Sequence, residues 1–160
     1  VKRPRRTSGL AAPDTLTELA CACATARQVA RVLTQLYDSR LRDVGMEAPQ
    51  FALMMTLAQH GPCSQSTLGR RYALDKTTVS RNLRVLERNG WIASSVARDR
   101  RERQLVLTPA GRKRLAAAKP AWKKAQDQLR SGMTARQWDA MFRAFRAVTG
   151  TAQNIQREAG

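Results

Sequence analysis

Apolar residues recur at three- and four-residue steps from Leu16 through Leu19, Cys23, Ala26, Ala30, Leu33 and Tyr37, which predicts one apolar face on a long helix. A second strip, Thr25, Val29, Val32 and Leu36, lies on another side. A helix apolar on two sides is expected to be sandwiched between its own domain and a partner subunit. Thr15-Leu16-Thr17-Glu18 fits a capping box at its start, and Gly45 ends it. Pro49 suits the first turn of "PQFALMMTLAQH", an uncharged helix rich in Leu and Met and predicted to be buried. Gly61-Pro62 breaks it. Ser64 is then an N-cap for "SQSTLGRRYA", with Cys63 ahead of the cap placed to staple onto Leu68.

A turn at Leu74-Asp75 leads into "KTTVSRNLRVLERN", which stops at Gly90. The period then changes. "WIASSV" and "QLVLT" alternate as short strands, joined by the polar connection "ARDRRERQ". Thr108 and Pro109 cap and open a long basic helix, with a kink expected at Pro120. Ser131-Gly132 ends it, and Thr134 caps a last helix carrying Trp138, Met141, Phe142, Phe145 and Val148. The predicted fold is mainly α with a small β-hairpin wing, in the order α-α-α-α-β-β-α-α. The domain reading is a flexible basic arm over 1–13, a dimerisation helix over 14–47, a winged helix-turn-helix over 48–108 and dimerisation helices over 109–160.

Charge changes the picture more than length does. The 160 residues hold 29 Lys+Arg against 12 Asp+Glu, a net charge of +17, which predicts a polyanionic partner. The charge is concentrated. Lys2, Arg3, Arg5 and Arg6 crowd the first six residues, while residues 48–69 carry no Lys, Arg, Asp or Glu. Residues 70–103 hold ten bases and four acids, and 104–160 hold eleven and three. No run reaches the ~18 apolar residues of a membrane span. Three cysteines without a disulfide-framework spacing predict a reducing cytoplasm.

On a helical wheel of residues 75–89, Val79, Leu83 and Leu86 share the core face. Thr77, Arg81, Arg84 and Arg88 lie opposite, flanked by Thr78 and Ser80. Short hydroxyl side chains near a helix N-terminus, with arginines further along, suit a helix entering a DNA major groove. Thr and Ser reach base edges, and Arg forks onto guanine or phosphate. A short helix before it and an arginine-tipped hairpin after it complete a winged helix-turn-helix arrangement. Thr77, Thr78, Ser80, Arg81 and Arg84 are therefore the candidate recognition residues. Gln65, Ser66 and Thr67, at the start of the preceding helix, are candidates for phosphate contacts that set register.

"STLGRRYALDKTTVSRNLRVLERNGWI" followed by "DRRERQLVLTPAGRKRL" resembles the MarR family of bacterial transcriptional regulators. The resemblance spans roughly residues 15–157 by element order, and its motifs lie in 64–112. It implies a homodimer built from the first and last helices, binding a pseudo-palindromic double-stranded operator and repressing until an effector releases it. It also implies that the wing residues Arg98, Asp99, Arg100 and Arg101 serve DNA binding. Asp99 would orient the hairpin and Arg101 would enter the minor groove. Glu102 departs from the small residue expected after that motif. Two-fold symmetry sets the half-sites ~34–36 Å apart.

The competing reading is a non-regulatory basic protein, architectural or RNA-binding, which specific binding to one duplex would exclude. An enzyme fits poorly. His60 is the single histidine and stands before a Gly-Pro turn, and neither a phosphate loop nor a zinc spacing is present. No cofactor is predicted. The effector stays open between a thiol oxidant, a soft metal or metalloid, and a small aromatic ligand. Cys21, Cys23 and Cys63 are the candidate sensing thiols, with packing as the alternative role for Cys23 and Cys63. With the capping box at 15–18, Cys21 and Cys23 fall in the second and third helical turns, about 200° apart, so they neither pair nor chelate directly. Met54, Met55 and Trp122 are candidate lining residues of an aromatic pocket, or plain core.

Overall fold

A computed structural model describes residues 21–96 and 103–159. The basic arm, the 15–18 capping box and the wing residues Arg98, Asp99, Arg100, Arg101 and Glu102 lie outside them. The chain divides into two compact units, residues 1–35 and 36–160. Helix α1 (Ala22–Leu41) carries the chain across that division. None of its residues before Leu41 is buried, and Val32 is 57% exposed.

The second unit begins within α1, at Leu36. A single 3-10 turn (Arg42–Val44) closes at Gly45, whose φ of +60° turns the chain into α2 (Ala48–His60). Glu47 and Gln50 form a reciprocal capping box there, and the Asp38 carboxylate accepts the Ala48 N–H at 2.7 Å. The elements β1 (Cys63–Ser64), α3 (Gln65–Tyr72), α4 (Lys76–Arg88), β2 (Ile92–Val96) and β3 (Arg103–Leu107) come next. Helix α5 (Pro109–Ser131) runs without a break through Pro120, and α6 (Ala135–Glu158) ends the described chain.

The sheet is antiparallel in the order β1-β3-β2. Cys63 pairs with Leu105, and Ser94 pairs with Leu105 from the other side. Leu105 and Leu107 alternate inward along β3 as a half-buried strand requires. They join Leu41, Met46, Phe51, Leu53, Met54, Leu57, Leu68, Val79, Leu83, Leu86, Ile92 and Leu115 in one core. Helix α4 thus docks on the sheet and on α2 by its Val79–Leu83–Leu86 face, and that docking fixes which face it presents outward. Among the described residues no helix is long and apolar enough to cross a membrane.

Three expectations need correction. Cys63–Ser64 pair with β3 as a third strand instead of only preceding the α3 cap, because the hairpin leaves the open edge of β3 beside them. Cys21 lies just before α1 and Cys23 is its second residue, so neither thiol lies as deep in the helix as the second and third turns. The Cys21 carbonyl accepts the Thr25 N–H at 3.0 Å, the bond that opens the helix. Both cysteines are exposed, so Cys23 is not packing filler in the single chain. For Met54 the plain-core reading holds, since it is fully buried, whereas its neighbour Met55, about 100° round the helix, is only half-buried.

Ala73 ends α3 at φ +49°, in the left-handed region where a β-carbon is unfavourable. Its N–H donates to the Arg70 carbonyl, and the turn cannot be relaxed without moving α4. Ala73→Gly is therefore expected to stabilise the fold by about 1 kcal/mol. Thermal denaturation should show a Tm rise of about 2–4 °C.

Candidate nucleic-acid interface

The site is built from two helix starts. Ser64 caps α3, its hydroxyl accepting the Thr67 N–H at 3.3 Å and lying 2.8 Å from the Ser66 hydroxyl and 3.1 Å from that of Thr67. Asp75 caps α4. Its carboxylate accepts the Thr78 N–H at 2.8 Å and the Thr78 hydroxyl at 2.6 Å. Gln65 ties the two together, its amide donating to the Lys76 carbonyl at 3.4 Å. Tyr72 anchors α3 to α2 by donating to the Ala52 carbonyl at 2.9 Å.

These caps sort the predicted residues. Thr77, Arg81 and Arg84 are exposed on the outward face of α4, and Ser80 is half-buried beside them. Among the described residues no carboxylate pairs with Arg81 or Arg84; the ion pair found is Lys123–Asp127 on α5. The two guanidiniums are therefore available to a polyanion. Thr78 differs: half-buried, its hydroxyl is already given to Asp75, so it organises the helix start more than it probes a ligand. Gln65, Ser66 and Thr67 cluster at the α3 N-terminus, where backbone N–H groups and the helix dipole favour an anion. Cys63 is half-buried in β1.

Sequence reasoning missed part of this surface. An open groove of about 690 Å³ runs between α3, the start of α4 and the start of β3. Arg70, Lys76 and Arg103 bring three cations to its walls, over a floor that includes Leu74 and Val79. Gln65 and Ser66 line the same groove. The residues come from three elements, so spacing along the chain carries no sign of their convergence. The Asp75-x-x-Thr78 cap was legible in principle, as an acidic N-cap three residues before a hydroxyl.

Asp75 also carries the clearest electrostatic signature. The Thr78 hydroxyl, then the Thr78 N–H, hold its carboxyl below the ordinary carboxylate value. With the folded value lowered, the cap's contribution is complete above the unfolded carboxylate value and is lost as pH falls through the lowered one. In an NMR titration, Asp75 should titrate below ~3.9, and Thr78→Val should move its midpoint upward. An unchanged midpoint in the variant would show that the hydroxyl contact does not govern the carboxyl.

Comparison with known proteins adds to this geometry. The profile of the MarR family matches residues 46–102. An uncharacterized HTH-type transcriptional regulator of Bacillus subtilis (strain 168), YwoH, is 25% identical over 119 residues, covering 74% of this chain and 87% of its own. Among solved structures, the M. tuberculosis transcriptional regulator MosR in complex with DNA is 30% identical. That match covers 84% of this chain and 97% of the other at a TM-score of 0.75. The S. aureus MepR–DNA complex is 21% identical, covers 82% and 98%, and has a TM-score of 0.70, a likeness of fold.

Proposed function

Because the chain belongs to the MarR family of transcriptional regulators, we propose that it acts as a homodimer whose two α4 helices read a pseudo-palindromic operator, repressing transcription until an effector releases it. Its relatives are regulators and not enzymes. The observation that carries the DNA reading is the outward face of α4, with Thr77, Arg81 and Arg84 exposed opposite the buried Val79, Leu83 and Leu86. In this reading Thr77, Ser80 and Arg81 meet base edges, and Arg84 meets phosphate. Gln65, Ser66 and Thr67, with Arg70, Lys76 and Arg103 beside them, hold the backbone alongside. The same reading gives Arg101, outside the described residues, the minor-groove contact, with Asp99 orienting the hairpin.

The dimer is supported by α6. None of its 24 residues is buried, and Phe142, Phe145, Val148 and Ile155 are 38–60% exposed along it. Four large apolar side chains on one helix are a costly surface to leave in water. A hydroxyl-radical footprint on a duplex selected from a randomised pool tests the reading. Two protected patches ~34–36 Å apart, with two chains per duplex by sedimentation, are expected. One continuous, sequence-independent patch would favour an architectural binder.

For the effector, the geometry favours a small aromatic acid. A pocket of about 270 Å³ is lined by Tyr37, Ala48, Phe51, Ala52, Met55 and Trp122, with Phe51 and Trp122 stacked at 5.6 Å. It shares Met55 and Trp122 with a neighbouring pocket of about 410 Å³ where Lys119 supplies positive charge, Lys123 being paired with Asp127. The Tyr37 hydroxyl donates to the Gln126 side chain, and burial pushes its pKa up, so it stays a neutral donor. Cys63 makes a poor sensor, since burial pushes its thiol up and Arg71 only partly offsets that. Cys21 and Cys23 remain as exposed thiols for the oxidant or soft-metal alternative. Among the described residues no three His, Cys, Asp or Glu side chains gather as a metal site.

Salicylate is expected to quench Trp122 fluorescence saturably and to release the operator, with both effects lost in Trp122→Leu. Release by peroxide or arsenite alone, abolished by Cys21→Ser, would transfer the effector role to the thiols.

A further inference from the structure

Arg114 stands where three parts of the second unit meet. It projects from the first turns of α5, and its guanidinium donates to the Val44 carbonyl at the end of the 3-10 turn that follows α1. The same guanidinium lies 5.2 Å from the centre of the Trp91 ring, at the corner between α4 and β2. The guanidinium packs closely on Gly45, whose φ of +60° already favours glycine; a β-carbon there would come within 2.7 Å of Arg114 Nη2. Yet Arg114 Nε is buried and finds no acceptor among the described residues. A buried orphan donor costs stability, and a methionine would fill similar space without one. What the arginine adds is a planar fork that holds a carbonyl and a ring at a fixed mutual angle.

We infer that Arg114 is a positioning residue that sets the angle between the α5 arm and the DNA-reading lobe, and through it the half-site spacing the regulator accepts. The inference rests on the dimeric operator reading above. The lever is long: from Arg114 to the end of α5 at Ser131 the helix runs ~26 Å at ~1.5 Å per residue. A tilt of about 7° at the joint displaces the far end by ~3 Å, close to the ~3.4 Å rise of one base step. Arg114 itself touches neither α4's outward face nor the basic groove, so its loss leaves the contacts within one half-site in place.

The test is binding of the full chain to operators whose two half-sites are moved apart or together by one and two base pairs, and to a duplex with a single half-site. Wild-type protein is expected to lose at least tenfold in affinity when the spacing changes. Arg114→Met should flatten that preference to threefold or less, with single half-site binding and its salt dependence unchanged. Arg114→Lys keeps a donor for the Val44 carbonyl but not the plane over Trp91. It should give an intermediate preference, and it carries the test if Arg114→Met does not fold. Equal loss at every spacing, or an unaltered preference in the variants, would overturn the inference while leaving the dimeric reading intact. A wild-type protein indifferent to spacing would overturn both.

Discussion

Gly111→Ala is expected to destabilise the protein by ~3 kcal/mol, lowering Tm by about 6–12 °C in thermal denaturation at fixed protein concentration. Gly111 sits in the first turn of α5 against the backbone of Trp91. A β-carbon there would overlap the Trp91 carbonyl group, coming within 2.8 Å of its carbon and 3.1 Å of its Cα. The neighbour is main chain, so it cannot swing aside as a side chain would. It is also committed: the Trp91 carbonyl accepts the Thr108 N–H at 3.1 Å, and the Thr108 hydroxyl donates to the Gly90 carbonyl at 2.6 Å. Relieving the clash means breaking the α5 cap or moving the base of the wing. Ala110→Gly, one position earlier on an exposed site, is the control and should cost only about 1 kcal/mol. A Gly111→Ala variant as stable as wild type would show that α5 and the α4–β2 corner do not pack at this distance.

Substitutions on α4 are expected to divide by what each side chain reads. Arg81→Ala should cost ~1–3 kcal/mol per half-site on the operator and relax the base preference there, with little change on random DNA. Thr77→Ala should also alter preference, by less. Arg84→Ala should weaken binding to every duplex and reduce the salt slope by ~1 per subunit, as loss of a phosphate contact does. All three residues are exposed and lie opposite the core face, so none of the losses should come with a fall in Tm. Equal losses on specific and random DNA for all three variants would refute the division between base and phosphate roles.

The helix boundaries were legible wherever a side chain bonds its own neighbourhood. Ser64, Thr108 and Thr134 each accept the N–H three residues on, and Pro49 and Pro109 open helices where a missing N–H costs nothing. The outward face of α4 was legible because Val79, Leu83 and Leu86 mark the opposite face at helical period. Features set by distant partners were not. The two residues of β1 are too short to alternate, and they become a strand only because β3 lies alongside. Ala73 bears no mark of its left-handed backbone; the turn between α3 and α4 imposes it. Met54 and Met55 are alike in the sequence, and only the packing of α2 sends one to the core and leaves the other at the pocket. Arg70, Lys76 and Arg103 line one groove from three elements, a convergence that charge counting registers only as a total.

The central claim is that this chain reads a particular DNA sequence. The most direct test is fluorescence anisotropy of the reduced protein on the intergenic duplex upstream of its own gene, against a random duplex of equal length. At physiological salt the upstream duplex is expected to bind at least about a thousandfold more tightly, with the gap narrowing at least ~30-fold when Arg81 is replaced by alanine. Equal affinities and equal salt slopes on the two duplexes would contradict it, and would identify the chain as a basic protein that binds the DNA backbone alone.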